Sequence, residues 1–149
     1  MQNQLNKISD QERKMLLDAP ALITALIAGS DGGFNQAEED WAEKVVGFRK
    51  DTAHYSLHYF YELVGENFHQ KMEAYHKMYE NMPNRADVIQ SELTNLKPIL
   101  AKLDEHYREK LVDSFRSFAK QIAESSGGVL GFFSQTKEEQ ILIKLEMFD

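Results

Sequence analysis

The chain has no cysteine. That excludes disulfides, thiolate metal ligands and cysteine nucleophiles, and it accords with a reducing compartment such as the cytoplasm. Backbone breakers are scarce as well: three prolines (Pro20, Pro83, Pro98) and eight glycines in 149 residues. No apolar run approaches the roughly 18 residues of a membrane span. The opening Met1-Gln2-Asn3-Gln4-Leu5-Asn6-Lys7 lacks the charged-then-apolar layout of a signal segment. Positive charge is also short, with Lys+Arg 17 against Asp+Glu 24 and a formal net charge of -7. Binding nucleic acid needs a basic stripe, and here the basic residues are interleaved with acids, so no nucleic-acid partner is expected. The acid surplus favours cationic partners instead, such as metal ions or basic protein surfaces.

What is present is helical periodicity. With 42% hydrophobic residues, the length suits one compact core. Ser9-Asp10-Gln11-Glu12 reads as a capping box opening a short helix toward Leu17. Asp18 is placed to cap the next helix, with Pro20 in its first turn and Leu22, Ile23, Leu26 and Ile27 as its apolar set. Gly32-Gly33 stops it. Asn35-Gln36-Ala37-Glu38 opens a third helix expected to bury Trp41, Val45 and Phe48, and Asp51 restarts the chain as a long fourth. That fourth helix carries a stripe of Leu57, Phe60, Val64, Phe68, Met72, Tyr75, Tyr79 and Met82, interrupted at Gly65. Residues 86–103 form another helix, broken near Leu96 by Pro98. Asp104 caps a helix through Tyr107, Leu111, Phe115, Phe118 and Ile122, and Thr136-Lys137-Glu138-Glu139 opens a last one through Ile141, Leu145 and Phe148. The expected fold is all-α: residues 1–149 as a single compact bundle of about six to eight helices.

One helix–glycine turn–helix device occurs near both ends. Ile27-Ala28-Gly29-Ser30-Asp31-Gly32-Gly33-Phe34 and Ile122-Ala123-Glu124-Ser125-Ser126-Gly127-Gly128-Val129 each lead to paired glutamates, Glu38/Glu39 and Glu138/Glu139. Helix stops at the glycines and capping boxes after them account for every residue of the repeat without a ligand. The functional alternative is a weak divalent-metal site with Asp31 and Glu38 as its ligands. The stretch has an EF-hand-like outline, Asp-Gly-x-hydrophobic followed by an acid. An EF-hand register would put Ile27 and Gly29 at ligand positions, where neither side chain can coordinate calcium, so a true EF-hand is rejected. In the second turn Ser126 stands in place of the aspartate.

The segment from Leu22 through Ile27-Ala28-Gly29-Ser30-Asp31-Gly32-Gly33-Phe34 to Glu38 resembles the signature of the TerB-like family, named for a tellurite-resistance protein. The stretch from Ala123 to Phe132 with Glu138-Glu139 is similar to the second half of some members. The resemblance implies two TerB-like helical halves, a bacterial stress-response setting of the tellurite type, and metal binding at acidic positions matched here by Asp31 and Glu38. Ser126 departs from the Asp-Gly pattern, so a symmetric pair of sites does not carry over.

A rival reading lies on the long helix, where Glu66-Asn67-Phe68-His69 and Glu73-Ala74-Tyr75-His76 are both Glu-x-x-His, as in ferritin-like di-iron proteins. Both copies fall on one helix about two turns apart, so they cannot face a common metal pair. His54 and His58 stand at i, i+4 nearby. No glycine elbow frames a serine and neither double glycine belongs to a phosphate loop, so no catalytic residue is assigned and no cofactor is expected. The run His54-Tyr55-Ser56-Leu57-His58-Tyr59-Phe60-Tyr61 places aromatics all round a helix. It is either buried on two sides or a contact surface for a protein partner or a homo-oligomer. The sequence thus points to a non-enzymatic binding or scaffolding module, with weak metal binding as the alternative.

Overall fold

The computed structural model describes residues 2–28, 36–125 and 141–149, and all regular structure among them is helical. In chain order the helices are α1 (Gln2–Leu5), α2 (Asp10–Leu17), α3 (Ala19–Ala28), α4 (Gln36–Thr52), α5 (His58–Gly65), α6 (Phe68–Tyr79), α7 (Arg85–Thr94), α8 (Lys97–Leu100) and α9 (Glu105–Ser125). Short 3-10 turns occupy Tyr55–Leu57 and Glu146–Phe148.

The centre of the fold is α3, every residue of which is buried. A helix apolar on all sides must be covered on all sides, and α4, α6, α7 and α9 supply the cover. Its one polar side chain, Thr24, returns its hydroxyl to the Pro20 carbonyl at 2.8 Å and so stays satisfied. The longest helix, α9, buries Tyr107, Leu111, Phe115, Phe118 and Ile122 along one stripe, as its spacing predicts. The buried apolar side chains of all these helices join in a single cluster.

Local signals work where the chemistry is contained within a few residues. Ser9 accepts from the Glu12 amide at 3.1 Å and Glu12 accepts from the Ser9 amide at 3.0 Å, closing the expected capping box. Pro98 falls in the first turn of α8, where its missing N–H costs nothing, and α7 ends before it. Other expectations need correction. Asp51 does not restart the chain, because α4 runs on to Thr52. The break comes at His54, whose Nδ1 accepts from the Ser56 amide at 3.3 Å and turns the chain locally. The long fourth helix is therefore a 3-10 turn followed by α5 and α6, divided after Gly65, although its stripe from Leu57 to Met72 is buried as expected. Asp18 sends its carboxylate to Lys71 and Tyr75 of α6 rather than to the amides of α3.

At the chain's far end Leu145 is buried, but its φ of 44° is left-handed, and the backbone passes into the 3-10 turn. Ile141, expected to pack inward, is exposed, and Leu142 takes the buried position instead. Asp31, the first glycine turn, the second glycine turn and its capping box lie outside the described residues.

Candidate functional site

Two sites of interest lie on one helix, α4. Its buried stripe is Glu38, Ala42, Val45 and Arg49, flanked by Glu39 and Val46. Two of the first-turn residues are therefore buried carboxylates, and a buried arginine sits near the other end.

The first-turn glutamates gain from the positive end of the helix dipole. Glu38 is fully buried. Glu39, also buried, reaches Nδ1 of His76 at 2.9 Å, and Nε2 of that ring faces Glu80 at 3.3 Å. One turn along α4, Glu43 reaches Nδ1 of His69 at 3.1 Å, whose Nε2 faces Glu73 at 3.1 Å. Each imidazole thus lies between two carboxylates. For His69 the hydrogen bond to Glu43, and then the charges of Glu43 and Glu73, hold the imidazole pKa above its ordinary value. The result is a seam of histidine–glutamate contacts tying α4 to α6.

This seam reassigns the two Glu-x-x-His motifs. Glu73 serves His69, four residues before it, rather than His76. Glu66 caps the end of α5 and lines a separate surface groove with Arg13 and Lys71. His58 faces the Ala53 carbonyl at 2.7 Å, and His54 faces Ser56, so those two histidines do not converge. Among the described residues no group of three histidine or acidic side chains is arranged to hold a metal ion. Of the predicted metal ligands the structure places Glu38, at the start of α4, and Asp31 lies outside the described residues.

The second site is a groove of about 570 Å³ between the C-terminal half of α4, the Tyr55–Leu57 turn and α9. Arg49 forms its floor and is 8% exposed. Its Nη1 donates to the Ser114 hydroxyl at 2.7 Å, the Ser114 carbonyl at 2.8 Å and the Tyr61 hydroxyl at 3.2 Å. Its Nη2 donates to Ser117 Oγ at 2.8 Å and to Gln121 Oε1 at 2.6 Å. The Tyr61 and Phe118 rings each lie 5.4 Å from the guanidinium carbon. Every acceptor is neutral. The hydrogen bonds are met, but among the described residues no carboxylate forms an ion pair with the guanidinium.

Above this floor stand two aromatics that the sequence reading assigned to the core. Trp41 is 36% exposed and Phe48 is 56% exposed. They lie a heptad apart on a face of α4 adjoining its buried stripe, so the apolar pair projects over the groove while Arg49 goes inward. Tyr55 is likewise exposed, whereas Phe60 and Tyr61 of the same run are buried. Burial raises the Tyr61 pKa above the usual phenol value against the opposing influence of Arg49.

A slightly larger groove, about 620 Å³, lies between α8, α9 and the end of the chain. Two of its three lining cations are engaged: Arg116 donates to Asp149 Oδ1 at 2.6 Å and to the Lys144 carbonyl at 2.9 Å, and Lys97 donates to the Asp149 carbonyl at 3.2 Å. The Arg49 groove differs in that its cation is buried and meets only neutral acceptors.

Sequence reasoning missed Arg49. The available signal was a basic residue at a stripe position of α4, in step with Glu38, Ala42 and Val45. A matching polar row, Ser114, Ser117 and Gln121, runs along one face of α9 at helical spacing. No family model, curated protein or solved structure matches this chain.

Proposed function

We propose that the chain is a non-enzymatic helical binding module, of the TerB-like kind its first glycine motif resembles, serving a bacterial stress response. The observation that carries the binding reading is Arg49: a buried cation with only neutral acceptors, at the floor of an open groove flanked by exposed Trp41 and Phe48. Binding sites combine an apolar lining with a few placed polar groups, and this groove has both. The test is a fragment screen followed by amide chemical-shift mapping. Hits should cluster on the second half of α4, the Tyr55–Leu57 turn and the facing side of α9. Hits confined to other surfaces, or none, sink the reading.

A second reading, divalent-metal binding at Asp31 and Glu38, draws support from two consecutive buried carboxylates, Glu38 and Glu39, at the start of α4. A cation bound to the native state raises the melting temperature by mass action. Melts with calcium, magnesium, manganese or zinc should show a rise that disappears when Asp31→Ala and Glu38→Ala are combined. An equal rise in that double variant removes the idea.

A further inference from the structure

We infer that the Arg49 groove takes a small monocarboxylate with an aromatic or otherwise apolar body. This rests on the reading of the groove as a binding site and names what the site selects.

The charge argument comes first. Taking a guanidinium out of water is costly, and neutral dipoles repay only part of that cost. Arg49 has spent its η hydrogens on five oxygens, none of them anionic. A carboxylate that replaces Ser117 and Gln121 as acceptor exchanges neutral hydrogen bonds for charge-assisted ones, which are roughly twice as strong. Both of those α9 side chains belong to exposed residues at the groove wall, so each can turn to water when displaced. The other charged side chains lining the groove are Lys110 and Asp113, with His54 at the rim. The lysine and the aspartate offset one another, which leaves about one positive charge for the ligand to meet. A dianion such as phosphate would face Asp113 with its second charge, and a monoanion fits this balance better.

The body of the ligand follows from the walls. Trp41 and Phe48 are exposed along the groove, and the buried Val45 and Leu57 also line it. A groove of about 570 Å³ lies inside the range of small-molecule sites, roughly 300–1,000 Å³. An aromatic ring against Trp41 with its carboxylate directed at Arg49 uses both features at once.

The chain carries its own reporter, since Trp41 is its single tryptophan. Titrating the wild-type protein with phenylacetate, phenylacetamide and phenethylamine, while reading Trp41 emission, holds the body constant and varies the charge. Phenylacetate should bind at least about tenfold more tightly than the amide, and the amine most weakly. Equal responses to all three probes overturn the carboxylate assignment while leaving a binding groove in place. If no probe alters Trp41 emission or the amide shifts around the groove, both the assignment and the binding reading fall.

A near-isosteric variant separates this from a purely structural role. Gln121→Glu places a carboxylate where Oε1 now lies 2.6 Å from Arg49 Nη2. It should raise the melting temperature and, at the same time, abolish the preference for phenylacetate over its amide. Higher stability with that preference intact would show that Arg49 is only a strut and would overturn the proposal.

Discussion

In the first half of α4, Glu39 and Glu43 each meet a histidine of α6, and each histidine meets a second carboxylate. In the second half of the same helix, Arg49 is buried and meets only hydroxyl, amide and carbonyl oxygens. The seam sets each of its histidines against carboxylates from within the protein. The groove leaves its cation to neutral dipoles and sets two exposed aromatics beside it. Charge matched internally is what a structural clasp requires, whereas charge left unmatched next to an open apolar surface is what a ligand can complete. The difference separates architecture from recognition along a single helix.

The largest test of that contrast is the cost of each side chain to the fold. Arg49→Ala removes the acceptors' partner from Tyr61, Ser114 and Gln121 and opens a void between Tyr61 and Phe118. Urea unfolding should show a loss of about 3 kcal/mol, in the range of orphaned buried polar groups combined with a cavity. Arg49→Met, which keeps the length and removes the charge, should cost distinctly less, because apolar replacement of buried charge is often close to neutral. Glu43→Gln in the seam should cost only about 0.5 kcal/mol or less, as exposed ion pairs do. A seam variant as costly as Arg49→Ala would reverse the comparison.

Next in size is Tyr61→Phe. The hydroxyl lies 2.5 Å from Ser114 Oγ and accepts from Arg49 Nη1 at 3.2 Å. Its removal should cost about 1 kcal/mol, the usual net worth of such a bond, while Arg49 keeps its remaining acceptors. A loss as large as that of Arg49→Ala would mean that the tyrosine, rather than the arginine, organises the floor.

How far this was legible in the sequence follows from the same residues. Apolar periodicity sufficed for α3, α9 and the stripe from Leu57 to Met72, because burial there is decided by spacing within one helix. It misplaced Trp41 and Phe48, since apolar character was taken to imply burial, while the neighbouring arginine took the inward position. What makes an inward Arg49 tolerable is a polar row on α9 more than sixty residues away, and local pattern carries no information about such pairing. The break at His54 was hidden for a related reason: a side chain took up the Ser56 amide, a diversion that apolar spacing does not register. The two Glu-x-x-His motifs were visible as motifs, but Glu39 and Glu43, which face their histidines, come from α4, and spacing along the chain cannot show such pairing.

The seam carries a pH prediction of smaller size. Glu43 and Glu73 hold the His69 pKa above the ordinary imidazole value, so its contribution to stability is complete below the unfolded-state pKa. It is lost as pH rises through the raised folded-state value, where one of the two carboxylate bonds disappears. Proton NMR should place the His69 titration above that of a free imidazole, and His69→Gln should flatten the alkaline limb of a stability–pH curve. A titration at or below the ordinary value would mean that the seam is not ionic at His69.

The smallest effect on stability should come from Phe48, and it bears most directly on what the groove is for. With 56% of its surface exposed, the ring contributes little to the core, and Phe48→Ser should change the unfolding free energy by only about 0.5 kcal/mol. An aromatic that does little for the fold yet stays exposed beside a buried cation is costly to solubility unless something covers it. The same variant should weaken phenylacetate binding read at Trp41, because one of the two exposed aromatics lining the groove is gone. A loss of stability well above 1 kcal/mol would mean that Phe48 packs down over Arg49 in solution and closes the groove. In that case the second half of α4 would be as self-contained as the first, and the distinction between the two halves would disappear.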